Sequence, residues 1–162
     1  MQRESRTRRM EAVRARPVAE LLECPASIGV LLSSAAQSIN FEVGEVVFRQ
    51  SMICQGLYLV VSGRFLRSAE CQQTGISLSP ARAGDLVELA AALGDGVHNY
   101  TLTAQAAGSV LLLPMEALFQ AFLTHPPLRM RLLEELAREV SRAYYTCCLN
   151  CVEAPKRRST AS

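Results

Sequence analysis

Histidine is scarce in this sequence: His98 and His125 are the only two. A catalytic metal centre built on imidazoles needs several, so no metal is expected. The chain also has no nucleophile elbow, no phosphate-binding P-loop and no carboxylate pair at a plausible site. No catalytic residue is assigned, and an enzyme is not expected. Its apolar stretches are too short to cross a bilayer. The arginine-rich N-terminus has no apolar h-region, so a cytoplasmic chain with mostly reduced thiols is expected. A formal net charge of +2 is too small to argue for nucleic acid. After Cys151 only VEAPKRRSTAS follows, too little for a two-helix DNA reader, and direct DNA binding is not expected either.

What is present suits one globular domain with accessory helices: 162 residues, 49% apolar and 20% charged. Six arginines crowd the first sixteen residues, and Lys156, Arg157 and Arg158 lie close to the end. Such runs read as solvated tails. The expected organisation is a disordered basic arm at 1–16, a β-rich body with short helices at 17–126, a long helix at 127–151, and a disordered tail at 152–162.

Along the body, residues 18–22 suggest a helical turn. Pro25 and Ser27 then start a short helix carrying Ile28, Val30, Leu31 and Leu32. β signals follow at Ser38 to Val43, at Glu45 to Arg49 after the Gly44 turn, and in GLYLVVSGRFL from Gly56 to Leu66. The last reads as a buried strand, Leu57 to Val61, turned by Ser62-Gly63 into a second strand. Residues 72–79 read as two edges around Thr74-Gly75. A strand from Thr101 to Gln105 is followed by an Ala107-Gly108 turn and the apolar strand Ser109 to Leu113, stopped by Pro114. Short strands at this spacing without long helices between them predict a rolled antiparallel double sheet.

Residues 84–104 read GDLVELAAALGDGVHNYTLTA. The apolar run from Glu88 to Leu93 lies between glycine-bearing loops and predicts a single turn of helix. Its first N–H groups would point outward and suit an anion such as a phosphate. His98, Asn99 and Tyr100 then lead into the strand at Thr101. Loop, helical turn and strand in this order, with the preceding GLYLVVSGRFL, resemble the phosphate-binding cassette of the cyclic-nucleotide-binding domain. That domain forms the sensor half of Crp/Fnr-type bacterial transcription regulators.

The resemblance runs from about Ile39 to Tyr144 and rests on order and spacing. It implies a mainly β fold with flanking helices: a jelly-roll-like antiparallel β-roll followed by a long C-terminal helix. It places the ligand-binding positions at Gly84, Asp85, Glu88, Leu89, Ala90, Ala91, His98, Asn99 and Tyr100. The family's cassette reads roughly G-[DE]-x-x-G-E-x-[AG], then a loop, then R-[ST]-A-x-x-x-A. Gly84, Asp85, Ala91 and Ala104 fit that pattern. Leu89 stands where the family has the glutamate that grips the ribose, His98 where it has the arginine that grips the phosphate, and Glu88 at the usual glycine. Ser51 also replaces a familiar glycine. With both grips exchanged, ordinary cyclic AMP binding is not expected, and Leu89 with its alanine neighbours should pack the inside of the roll.

Met115 to Leu123 should lay Leu118, Phe119, Ala121 and Phe122 against the sheet, ending at the boundary residue His125. From Leu128 to about Leu149 runs the longest helix signal. Leu133, Leu136, Val140, Ala143 and Cys147 alternate at spacings of three and four, the pattern of a two-helix seam, while Leu128 and Leu132 lie on a neighbouring face free to meet the roll. In Crp/Fnr-type regulators the equivalent helix is the dimer interface, so the resemblance implies a homodimer. Cys147 on the seam would meet its symmetry mate and could oxidise to an intersubunit bridge if the Cα atoms lie within about 7 Å. The functional expectation is a non-enzymatic ligand-sensing regulatory module lacking the family's DNA-reading half: either it acts through another protein, or it is a shortened relative or a piece cut from a longer parent. Its ligand would be a cyclic nucleotide or another small molecule. Two alternatives stand beside it: a genuine cyclic AMP or cyclic GMP effector protein, and a ligand-free dimeric scaffold.

Overall fold

The computed structural model describes the backbone of residues 18–71 and 74–153, and the side chains of residues 18–70 and 78–145. The basic arm at 1–16 and residues 154–162 of the expected tail lie outside the described residues, whereas residues 152 and 153 continue the last helix. A helical turn at 18–21 precedes α1 (Ala26–Ala35). Then come β1 (Gln37–Phe41), β2 (Val46–Phe48), β3 (Gly56–Cys71), β4 (Thr74–Ser77), β5 (Ala81–Arg82), β6 (Leu86–Val87), α2 (Leu89–Leu93), β7 (Thr101–Pro114), α3 (Met115–Thr124) and α4 (Pro126–Glu153). The helix that begins at Pro126 uses the position where a missing N–H is harmless.

Two long antiparallel strands, β3 and β7, form the spine, running from Gly56 opposite Pro114 to Ser68 opposite Thr101. Short strands flank it on both sides: β1 and β2 on β7, and β4, β5 and β6 on β3. Every pairing is antiparallel. This is the expected β-roll with flanking helices and a long C-terminal helix.

Side-chain alternation along the spine explains why its middle reads as an unbroken apolar run. Leu57 and Leu59 on β3, with Leu111 and Leu113 on β7, face the helices. There they meet Leu22, Leu32, Leu118, Leu128 and Leu132. Tyr58, Val60, Val110 and Leu112 face the interior of the roll with Phe48, Phe65 and Leu102. Both faces are covered, so neither can be polar. Leu128 and Leu132 therefore meet the roll side of the molecule as their helical face suggested.

Four local readings are corrected. Ser62-Gly63 does not reverse the chain, because β3 runs straight through it, and Ala107-Gly108 likewise lies within β7. The ladder shifts register between Val60 and Phe65 instead. Gly63 adopts φ +89°, and a Cβ there would lie 2.7 Å from the Gly108 Cα. The glycine pair lets the two backbones pass closely where the spine bends, which is a bulge rather than a turn. Thr74-Gly75 sits inside β4, opposite Glu70 and Cys71, and is not a turn between two edges. Finally, Leu118 and Ala121 are buried on α3 as expected, but Phe119 is exposed.

Candidate functional site

β6 hands the chain to Glu88, whose backbone lies in the left-handed region at φ 74° and ψ 31°. A glycine takes that conformation freely, which accounts for the glycine the resemblance places here. For a glutamate it is a strained choice, costing on the order of 1–3 kcal/mol. The bend separates two neighbouring side chains. Leu89 turns to the cluster beneath the helices, with Leu57, Leu59 and Ala92. The expectation that Leu89 packs the inside of the roll is thus corrected: it packs the opposite face, because α2 begins at Leu89 and docks against the helical layer. Ala91 is buried with it, whereas Gly84, Asp85, Ala90 and Asn99 are exposed. Asp85 is engaged in its own loop, its Oδ2 accepting the Arg82 amide at 2.9 Å.

His98 and Glu88 are brought together in the interior, each 3% exposed. His98 Nδ1 and Glu88 Oε2 share a hydrogen bond of 2.9 Å. The imidazole is stacked flat on Phe48, ring centroids 3.9 Å apart and planes 4° from parallel. Tyr58 closes another side at 6.1 Å. Burial pushes the Glu88 carboxyl up to about 7, an effect that the nearby Tyr100 hydroxyl and Asn99 backbone amide partly offset. Neither completes a hydrogen bond to Glu88 Oε1, which is buried without a partner. Burial also lowers the His98 pKa and raises that of Tyr58 to about 12. The pair therefore favours one shared proton, because a second charge in this dry setting is costly.

Cys54 is the third member, and no spacing in the sequence announced it. Its Sγ donates to the Gly56 carbonyl at 3.1 Å, and burial raises its pKa. One donor atom from each of Cys54, Glu88 and His98 lies within 4.8 Å of the others. Backbone bonds hold the loop before β3 against the loop after α2: Cys54 N to Gly96 O at 2.7 Å, His98 N to Met52 O at 2.9 Å, and Ser51 N to His98 O at 2.8 Å. Ser51 takes a positive φ of 68° in that arrangement, consistent with the glycine it replaces.

A path leads from this cluster to the long helix. The Arg67 guanidinium lies 5.7 Å from the centre of the Tyr100 ring and bonds Glu139 on α4 at 3.0 Å. Its Nε is buried without a partner. Next to the cassette, an apolar hollow of about 520 Å³ opens between α2, α3 and α4, lined in part by Leu93, Phe119, Leu123 and Met130.

The sequence matches the family model of the cyclic nucleotide-binding domain over residues 38–125, more than half of the chain. The chain belongs to the cyclic nucleotide-binding domain family. Solved structures share its fold. The catabolite activator protein of Thermus thermophilus superposes with a TM-score of 0.69 at 24% identity, over 83% of this chain and 63% of that one. The sensor domain of the transcriptional regulator DNR from Pseudomonas aeruginosa gives 0.68 at 17% identity, over 87% and 94% of the two chains. The regulatory domain of Toxoplasma gondii PKA, solved with cAMP, gives 0.67 at 20% identity, over 83% and 51%. This chain thus spans less than two thirds of the Thermus protein. No curated protein matches it at a significant level. The fold is that of Crp/Fnr-type sensor domains.

Against the family pattern, the positions of both grips are occupied but inward-facing. Of the residues expected on a helical seam, Leu133 and Leu136 are half-buried, with Leu136 packed on the core, while Val140 and Ala143 are exposed. The side chain of Cys147 lies outside the described residues. Tyr144 and Tyr145, not singled out beforehand, are exposed at the same end. No described helix is long and apolar enough to cross a membrane.

Proposed function

We propose that this chain is a non-enzymatic sensor module whose cassette does not grip a cyclic nucleotide in the family's manner, and which reports the state of that cassette through α4. The Glu88–His98 pair carries the reading. Where the resemblance places an arginine for the phosphate, a buried imidazole is already bonded to a carboxylate. A phosphate would find no guanidinium fork to receive it. Losing one charge-assisted contact costs about 1.5–3 kcal/mol, or one to two decades of affinity. Leu89, at the ribose position, faces away from the roll interior and supplies no acceptor.

Calorimetry of the folded protein with cyclic AMP and cyclic GMP at millimolar ligand is expected to show no binding heat. Saturable binding in the micromolar range would overturn the reading in favour of a genuine cyclic-nucleotide effector, the ligand carried by the Toxoplasma relative.

Two contacts support output through α4. α2 touches α4, with Leu89, Ala92, Leu128 and Leu132 in one cluster, and Arg67 ties the roll to Glu139. A change in how residues 84–91 pack would move α3 and α4 with them. The far half of α4 exposes Val140, Tyr144 and Tyr145 at 57%, 73% and 67%, a surface suited to a second copy of the chain. The double substitution Val140→Glu and Ala143→Glu is expected to halve the mass seen by light scattering. An unchanged mass would defeat the seam.

A further inference from the structure

We propose that Cys54, Glu88 and His98 form a binding site for a single divalent transition metal ion of the zinc type, buried inside the roll beside the cassette. The donor set is a thiol, a carboxylate and an imidazole, the three side-chain types that bind zinc. All three residues are at most 5% exposed, and their donor atoms lie within 4.8 Å of one another. Around a tetrahedral ion with bonds of about 2.0–2.3 Å, donor atoms stand roughly 3.3–3.6 Å apart. The Glu88–His98 separation of 2.9 Å is close to that spacing. Movements on the order of 1 Å would complete the set, which short side-chain rotations supply.

Charge argues in the same direction. A dication bound by one thiolate, one carboxylate and one neutral imidazole forms a centre of zero net charge, the kind an apolar interior tolerates. Binding releases two protons to solvent: the thiol proton that Cys54 now donates to Gly56, and the proton in the Glu88–His98 hydrogen bond. In exchange, three bonds form to the ion, with no change of oxidation state.

Two independent features point to a ligand. Glu88 Oε1 is a buried acceptor with no partner, on a side chain with no exposed surface. Glu88 also keeps a left-handed backbone where a glycine would be unstrained, so a carboxylate is held here against the local preference. The site is preorganised as well: Phe48 fixes the imidazole plane, and three backbone bonds bind the loop of Cys54 to that of His98.

The site stands apart from the sensor reading. Metal bound with no effect on self-association would keep it, and its failure leaves the cyclic-nucleotide test untouched.

The probe is Co²⁺ added to the chelator-stripped full chain. One ion per chain is expected, with a thiolate-to-cobalt charge-transfer band that is lost in C54S and retained when Cys147, Cys148 and Cys151 are all replaced by serine. A band that survives C54S, or one that disappears with the three C-terminal cysteines, assigns the thiolate elsewhere and overturns the proposal. So does the absence of any tight binding. Should C54S not fold by circular dichroism, zinc X-ray absorption on the wild-type chain decides. One sulfur with nitrogen and oxygen neighbours supports the site, and two or more sulfurs refute it.

Discussion

Replacing Glu88 by glutamine keeps the shape of the side chain and removes its ionisation, which makes the buried acid directly measurable. In the metal-free protein burial raises this carboxyl from 4.5 to about 7. Within that window the unfolded chain has released the proton while the folded chain still holds it. The native state then binds more protons, so wild-type stability falls relative to Glu88→Gln as pH rises, and the change ends once pH passes the folded value. At 1.36 kcal/mol per unit, the total is about 3 kcal/mol. His98 acts in the opposite sense: burial lowers its pKa, so its protonation at low pH favours the unfolded chain. The burial that lowers it is present in both proteins. Urea denaturation at about pH 5 and about pH 8 is expected to show the difference between the two proteins moving by roughly 3 kcal/mol. In melting temperature this is about 6–12 °C for a chain of this size. Parallel pH profiles would refute the reasoning, because they would mean that the native carboxylate is ionised as easily as in water.

Two further outcomes follow from the packing. Gly63→Ala places a Cβ 2.7 Å from the Gly108 Cα and 2.9 Å from the Ala107 oxygen at φ +89°. The strain and clash together should destabilise the protein by roughly 2–4 kcal/mol in chemical denaturation, and a loss within about 0.5 kcal/mol would show that the spine can open there. A double-mutant cycle of Arg67→Ala and Glu139→Ala should give a coupling of about 1 kcal/mol, modest because the glutamate is partly in water. Zero coupling would remove the proposed tie between roll and α4.

The roll was legible because its middle strands are buried on both faces, and two continuous apolar runs, Leu57 to Val61 and Val110 to Leu113, can hardly be anything else once glycines bound them. What misled was local chemistry with two outcomes. Ser62-Gly63 suits a tight turn and a bulge equally, and only the distant Gly108 opposite it decides between them. Leu128 and Leu132 could be assigned to the roll from helical period alone, whereas Phe119, apolar but exposed, could not be distinguished from its buried neighbours. At the site, the resemblance located Glu88, Leu89 and His98 and implied which of the family's grips they stand in place of. It could not show that Glu88 and His98 bond each other, since that depends on a left-handed bend at residue 88. Cys54 was invisible for a simpler reason: it reaches the pair through the pairing of two loops, which leaves no periodic trace.

The pairing of β3 with β7 also bears on how the chain is made. Residues 56–71 leave the ribosome with their main partner still some thirty residues behind. Until Thr101–Pro114 emerges, a sixteen-residue edge with grease on both sides stands uncovered along most of its length. Any fragment stopped within the cassette would keep that edge permanently, and it is such halves, rather than the finished roll, that should clump in the cell.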